Sequence, residues 1–283
     1  MRVGVCVLTD LAWAQARPVW QQIEELGFDH AWTYDHLTWD PMNDHEWYST
    51  VVTLAGAAAV TSRIPLGYWV ASPNFRHPAA FARELVGLQD LSGGRILCGV
   101  GSGGEPDAHV LGESLSRGQR TRRLREFLDV LGRSLVEDHV DHDGEFYRLV
   151  DYRNVAGQTR TPPKLIVAAT GPRAIQLAVE HGAWATTGLG GETVDAWWSN
   201  IATLCRMADD AGGEGIERYL YLDSAPRFSF DSVEFCLDQI GRATELGFTD
   251  VVTTWPRGSW PYAGDPEVVA EVAQRLGLPD RQR

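Results

Sequence analysis

Three short segments carry groups that could do chemistry together. Tyr34-Asp35-His36 places an imidazole directly after an apolar run. Imidazole is the side chain that ordinarily gains and loses a proton near neutral pH, so it suits a general acid or base. Asp35 beside it would fix the ring's tautomer or cap the next segment. Gly99-Val-Gly101-Ser-Gly103-Gly104 fits a GxGxxG pattern, but a dinucleotide fingerprint needs a helix opening at its third glycine. Here Glu105-Pro106-Asp107 follows, and the next long helical pattern begins only at Gln119. The stretch therefore reads as a glycine turn that brings backbone N–H groups close to a ligand, against the plainer account of a tight turn. Ala169-Thr170-Gly171-Pro172-Arg173 joins a β-rich run to a helix. Its free N–H groups, hydroxyl and positive helix end make an anion site that Arg173 would reinforce. The same geometry is also an ordinary N-cap with proline in the first turn.

Other candidates are weaker. Asp138-His139-Val140-Asp141-His142-Asp143 holds metal-ligand types without a recognised spacing, so a solvated loop is the better account and no metal is expected. Lys164 is the only lysine and begins a β-rich run, away from strand exits, which disfavours a Schiff base. Cys6, Cys98, Cys205 and Cys236 form no CxxC pair. There is no GxSxG elbow.

The elements that must position these groups alternate strand with helix. Strand-like runs are Arg2–Thr9, His30–Tyr34, Ile64–Ala71, Arg95–Val100, Lys164–Ala169, Ala183–Thr187, Arg218–Ser224 and Asp250–Trp255. Helical patterns follow them, among them Arg17–Leu26, Tyr48–Thr61, Pro78–Leu91, Gln119–Val136 and Pro172–His181. Apolar strands between amphipathic helices imply a parallel sheet covered on its outside, and eight such units in 283 residues imply a (β/α)8 TIM barrel. No linker divides the chain, so residues 1–283 read as a single domain with long loops at Leu37–Glu46, Gly103–Arg117 and Asp138–Pro163. A barrel keeps its chemistry at the carboxyl ends of its strands, where all three segments above fall. Trp39, Trp69, Trp255 and Trp260 lie at or just past those ends and suit a flat conjugated ligand. Core packing is the competing account, favoured for Trp69 if its ring points down the barrel.

Composition narrows the partners. Lys and Arg number 25 against 38 Asp and Glu, a net charge of −13 that argues against nucleic acid and anionic membranes. Val3–Leu8 is too short for a signal peptide and no run reaches membrane-spanning length, so a cytoplasmic protein acting on a small molecule is expected.

In this order the motifs resemble the bacterial luciferase-like superfamily of flavin- and F420-dependent oxidoreductases. The resemblance is carried by Leu26-Gly-Phe-Asp-His-Ala-Trp-Thr-Tyr-Asp-His36, Thr61-Ser-Arg-Ile-Pro-Leu-Gly67, Ser72-Pro-Asn-Phe-Arg-His-Pro78 and Leu91 to Gly104. Asp143-Gly-Glu-Phe-Tyr147 and Val167 to Arg173 extend it over about the first 190 residues. The resemblance implies a TIM barrel with FMN or F420 over its mouth and His36 beside the reactive ring. It implies a non-proline cis peptide within Trp69-Val70-Ala71 under that ring. Gly101, Ser102 and Gly103 would touch the cofactor, with Asp35 near it, and Thr170, Gly171 and Arg173 would hold the phosphate. Glu105, offset by the extra Gly104, matches an acidic catalytic residue of the deazaflavin members. Trp39, Trp255 and Trp260 would enclose the substrate. Arg76, His77 and Arg173 are candidates for the path of an acidic F420 tail. The first expectation is hydride transfer with F420. The alternative is an FMN-dependent monooxygenase fed by a separate flavin reductase, and a non-catalytic flavin-binding protein is the reading of a different class. Family members are often homodimers.

Overall fold

A computed structural model describes residues 1–154 and 161–278 of the chain. The strands in chain order are β1 (Arg2–Val7), β2 (His30–Thr33), β3 (Leu66–Ala71), β4 (Ile96–Val100), β5 (His139–Asp143), β6 (Arg148–Arg153), β7 (Lys164–Ala168), β8 (Ala183–Thr186), β9 (Glu217–Tyr221) and β10 (Asp250–Thr254). Eight of them close a parallel barrel in the ring order β1-β2-β3-β4-β7-β8-β9-β10. The last pair, β10 with β1, aligns Asp250 with Arg2 and Thr254 with Cys6. The helices are α1 (Trp13–Glu25), α2 (Thr50–Val60), α3 (Pro78–Ser92), α4 (Glu105–Val110), α5 (Arg117–Val136), α6 (Pro172–Glu180), α7 (Val194–Asp210), α8 (Val233–Glu245) and α9 (Pro266–Arg275).

Side chains alternate along each barrel strand between two destinations. Val3, Val5 and Val7 of β1, Leu220 of β9 and Val251 of β10 pack outward against the helices. Cys6, Trp32, Trp69, Ile166, Tyr219 and Val252 fill the lumen. The interior is thus a packed plug rather than a pore, as this architecture requires. Both faces being buried explains why the strands read as apolar runs.

Polar groups close the bottom. Trp32 Nε1–H donates to His30 Nδ1 at 2.6 Å, so the proton of His30 sits on Nε2 and donates to Asp250 Oδ1 at 3.0 Å. Arg2 donates to both oxygens of Asp250, at 2.7 and 2.8 Å. Burial works against the Asp250 charge, but these hydrogen bonds from His30 and Arg2 hold its carboxyl below the usual value. Lys164 also lies at this end, paired with Glu217.

Two stretches differ from the sequence expectation. Asp138–Asp143 is not a solvated loop: β5 pairs antiparallel with β6, with Val140 buried against the main core and His142 bonded to Glu126 at 3.0 Å. Polar residues alternating around one buried valine are what a half-exposed strand needs. Among the described residues no group of three or more His, Cys, Asp or Glu is placed to hold a metal. The stretch after Gly103 is not wholly irregular either, because the six-residue α4 opens at Glu105. No described helix is long and apolar enough to cross a membrane.

Candidate active site

The two-residue alternation continues past the strand ends and decides which side chains reach the mouth. After β2, Tyr34 stays in the lumen, Asp35 turns outward, and His36 returns over the mouth. Asp35, expected near the cofactor, is therefore buried behind the barrel wall with Arg76, whose Nη2 donates to its Oδ1 at 3.0 Å. That guanidinium rests on the Phe75 and Phe81 rings at 4.6 and 4.5 Å, so Arg76 does not line an anion path. His77 caps α3, its Nδ1 accepting from Ala79 N–H at 3.2 Å. After β10 the same phase holds. Thr254 faces inward to the Tyr221 hydroxyl, and Trp255 turns out into the barrel–helix core instead of the substrate side. Trp260 is 71% exposed and does not line the mouth; Tyr262, two residues on, does. Trp39 lies at the mouth as expected.

His36 is held by a carboxylate, but not the one expected. Its Nδ1 lies 2.8 Å from Asp107 Oδ2. Asp107 Oδ1 accepts from Leu37 N–H at 2.9 Å and Thr38 N–H at 3.1 Å. Burial opposes the Asp107 charge, yet the His36 bond and these two N–H groups keep its carboxyl below the ordinary value. An ionised carboxylate only accepts, so Nδ1 carries the proton. Nε2 of His36, a cavity-lining residue, has no hydrogen bond to any described residue and is free to exchange a proton. The tether persists above the lowered Asp107 value and is lost as pH falls through it. Glu105 is not at this site. It is the first residue of α4 and does not itself line the cavity; its exposed carboxylate pairs at 3.0 Å with Arg120 of the cavity wall. Gly104 is the N-cap of α4, and Asp107 on the inward side of the first turn stands beside the histidine. An acid two positions into a helix after a glycine turn was the signal that spacing alone did not separate from Glu105.

The glycine turn is built for close approach. A Cβ on Gly99 would stand 2.6 Å from the Tyr68 carbonyl and 2.7 Å from Val70 Cγ1. Gly103 has φ +83°, and a Cβ there would meet Ser72 Oγ at 2.4 Å. Asn74 anchors the turn, donating to the Gly104 carbonyl at 2.8 Å while its own oxygen accepts from the buried Arg123 of α5. Facing this turn, the Trp69–Val70 peptide is cis, at the place the family resemblance marks. Register between β3 and β4 shifts there, between Tyr68 and Ala71.

These parts surround one cavity of about 750 Å³ over the barrel mouth, within the range of small-molecule sites. Its wall includes His36, Trp69, Val70, Ala71, Gly101 to Gly104, Thr170, Gly171 and Arg173. Trp69 serves both accounts weighed for it: it packs on Trp32 with ring centres 5.2 Å apart and also floors the cavity. Above β4 and β7 the wall is cationic, with Arg117 and Arg120 at the start of α5 and Arg173 at the start of α6. A second depression continues from it between α5 and α6, sharing Gly118, Thr121, Pro172 and Arg173 and adding Arg122, Arg125 and Gln176. The opposite wall carries phenols that composition did not single out. Tyr34 OH lies 2.6 Å from Tyr221 OH and 3.2 Å from Tyr262 OH, and Tyr221 OH reaches Thr254 Oγ1 at 2.5 Å. Burial pushes Tyr262 up to about 12, so these groups act as neutral hydrogen-bonding hydroxyls. Asp223 nearby accepts from Ser229 N–H at 2.7 Å and Thr254 N–H at 2.5 Å, while burial lifts it to about 6.

Comparison with known proteins agrees with this geometry. The F420-dependent glucose-6-phosphate dehydrogenase of Kineococcus radiotolerans is 31% identical over 226 residues, covering 76% of this chain and 66% of that protein. The 4-hydroxyprotoasukamycin monooxygenase of Streptomyces nodosus subsp. asukaensis is 29% identical over 273 residues, 90% of this chain and 67% of that one. This chain spans about half to two thirds of the length of the curated relatives it matches. Among solved structures, the F420-dependent tetrahydromethanopterin reductase of Methanopyrus kandleri superposes with a TM-score of 0.74 at 18% identity, covering 96% of each chain, which shows a shared fold. The family model for luciferase-like monooxygenases matches residues 1–222, from β1 through the end of β9, and so takes in the histidine, the glycine turn and the anion site together. The chain therefore belongs to the luciferase-like monooxygenase family.

Proposed function

We propose that this protein is an F420-dependent oxidoreductase that moves a hydride between the deazaflavin and a small organic substrate. The observation that carries the choice of cofactor is the cationic end of the mouth. FMN has one phosphate, which Thr170, Gly171 and Arg173 can satisfy at the start of α6. The wall continues past it through Arg117 and Arg120 into the depression lined by Arg122 and Arg125; Arg120, Arg122 and Arg125 meet the carboxylates of Glu105, Glu145 and Glu180 in exposed pairs, which an incoming anion can replace at little cost. An acidic tail longer than one phosphate fits such a run, although −13 overall leaves it as the local exception. Several relatives bear F420-dependent names. The residues present fit the group: Gly101, Ser102 and Gly103 line the cavity on one side, and Trp69 and Val70 line it between that turn and the histidine.

When bound, the deazaflavin supplies the two-electron step as a hydride. The chain's own part is positional and protic. His36 Nε2 gives or takes the accompanying proton, and Asp107 fixes the ring through Nδ1. In this reading residues 1–283 act as one domain, because β10 must close the barrel on β1 even though the family match stops earlier. A cytoplasmic protein without nucleic-acid or membrane partners is consistent with its charge.

Two experiments follow. Anaerobic fluorescence titration with F420 and with FMN is expected to show tighter F420 binding. Arg173→Ala should weaken F420 by about tenfold, with a marked salt dependence. Equal or tighter FMN binding would replace this reading with the second one. That second reading, an FMN-dependent monooxygenase served by a separate reductase, is favoured by the match to a monooxygenase over 90% of the chain. Asp107→Asn tests the tether. Turnover should drop roughly tenfold or more, with a shifted pH profile and unchanged cofactor affinity. An unaltered pH profile would show that Asp107 only braces the loop.

A further inference from the structure

We infer that the substrate end of this mouth takes a flat, uncharged molecule bearing a hydroxyl or carbonyl oxygen, and rejects sugar phosphates and other anions. The inference rests on the cofactor reading only for which end of the cavity the cofactor fills.

Ring order places β4 and β7 diametrically across the barrel from β10 and β1. Every arginine of the described cavity wall lies on the β4–β7 side, at the starts of α5 and α6. The far side is aromatic. Trp39 and Tyr262 stand nearly parallel, 14° apart with centres 6.1 Å distant, and Trp39 also meets Tyr34 edge-on at 5.2 Å. Such a panel favours a planar partner over a puckered, heavily hydrated sugar. The arginine on the same loop, Arg257, is spent elsewhere: it pairs with Asp10 at 2.8 Å, donates to the Trp260 and Pro261 carbonyls, and does not line the cavity. The acidic group on that side, Asp223, would repel an anion further. A phosphate seated there would lose its water and gain no cation, which is the costly case for a buried charge.

The polar feature on this side is the hydroxyl chain. Tyr221 OH is bonded to both Tyr34 and Thr254, and Tyr34 OH to both Tyr221 and Tyr262. Tyr262 OH ends the chain beside Tyr34 and Tyr221, and a hydroxyl has one donor and two acceptor sites, so capacity remains for a ligand oxygen. A neutral hydroxyl or carbonyl matches that capacity. The named activity of the glucose-6-phosphate dehydrogenase relatives would require an anion site that this side lacks.

The test is calorimetric titration of the protein, first alone and then saturated with F420, with 1-naphthol, 1-naphthyl phosphate and glucose 6-phosphate as probes. 1-Naphthol should bind both forms. Trp39→Ala should weaken it by about tenfold and Tyr262→Phe by roughly threefold, whereas Arg173→Ala should leave it within about twofold. With F420 in place, both phosphates should bind at least about 100-fold more weakly than 1-naphthol. Failure of 1-naphthol to bind, indifference to both aromatic substitutions, or tighter binding of glucose 6-phosphate to the loaded protein would each overturn the inference. Absence of F420 binding would overturn the cofactor reading alone, because the aromatic variants still decide this one in the unloaded protein.

Discussion

His36→Ala is expected to lower kcat/KM by about 10²–10⁴-fold while F420 affinity stays within about threefold. The asymmetry follows from the site. The imidazole contributes a free Nε2 to the cavity, whereas the anion-binding groups sit at the starts of α5 and α6 on other elements. The fold should survive, because Asp107 keeps the Leu37 and Thr38 N–H groups and loses one hydrogen bond, a cost of about 1 kcal/mol. The measurement is anaerobic turnover of a substrate that the wild type accepts, followed through deazaflavin absorbance, beside a binding titration of the same variant. A rate within threefold of wild type would remove His36 from the chemistry. Intact binding with no turnover by either protein would point to the non-catalytic alternative.

Asp250→Ala is expected to destabilise the barrel by about 3 kcal/mol and lower Tm by roughly 6–12 °C. The carboxylate is fully buried at the closing seam and serves His30 and Arg2 together. Arg2 keeps Glu217 at 2.8 Å, so the larger loss is the buried His30 Nε2–H left without an acceptor. The pH dependence has a definite sign. The folded carboxyl lies below its unfolded value of about 4, so its stabilisation is complete above that value and disappears as pH falls through the folded one. The gap between wild type and variant in thermal melts should therefore narrow in acid. An unchanged gap down to about pH 2 would assign the seam's stability to packing instead.

The barrel was legible because its strands are buried on both faces and its helices on one, a contrast that survives in a single sequence. The glycine turn and Thr170-Gly171 both reach the cavity, and their place was legible because backbone groups at a strand end need no side-chain direction. The errors share one cause. The two-residue phase of a strand continues past its last residue. Trp32, Tyr34 and His36 share a phase, as do Val252 and Thr254, so Asp35 and Trp255 had to point outward. That phase was available in the sequence. Asp107 was harder to find: its partnership with His36 joins residues 71 apart and depends on the length of the glycine turn. The phenol chain is not legible because Tyr221 lies inside a β-rich run and Tyr262 in the loop past the last one, with nothing in the sequence to pair them.

The alternation past β2 also limits how this loop can change over evolution. Removing one residue between Thr33 and His36 would drive the imidazole against the Arg76 guanidinium, and adding one would seat the Asp35 carboxylate where His36 now meets the cavity. A change in length beyond Thr38 leaves that phase untouched, whereas the two positions before the histidine decide which group meets the cavity and which meets the arginine.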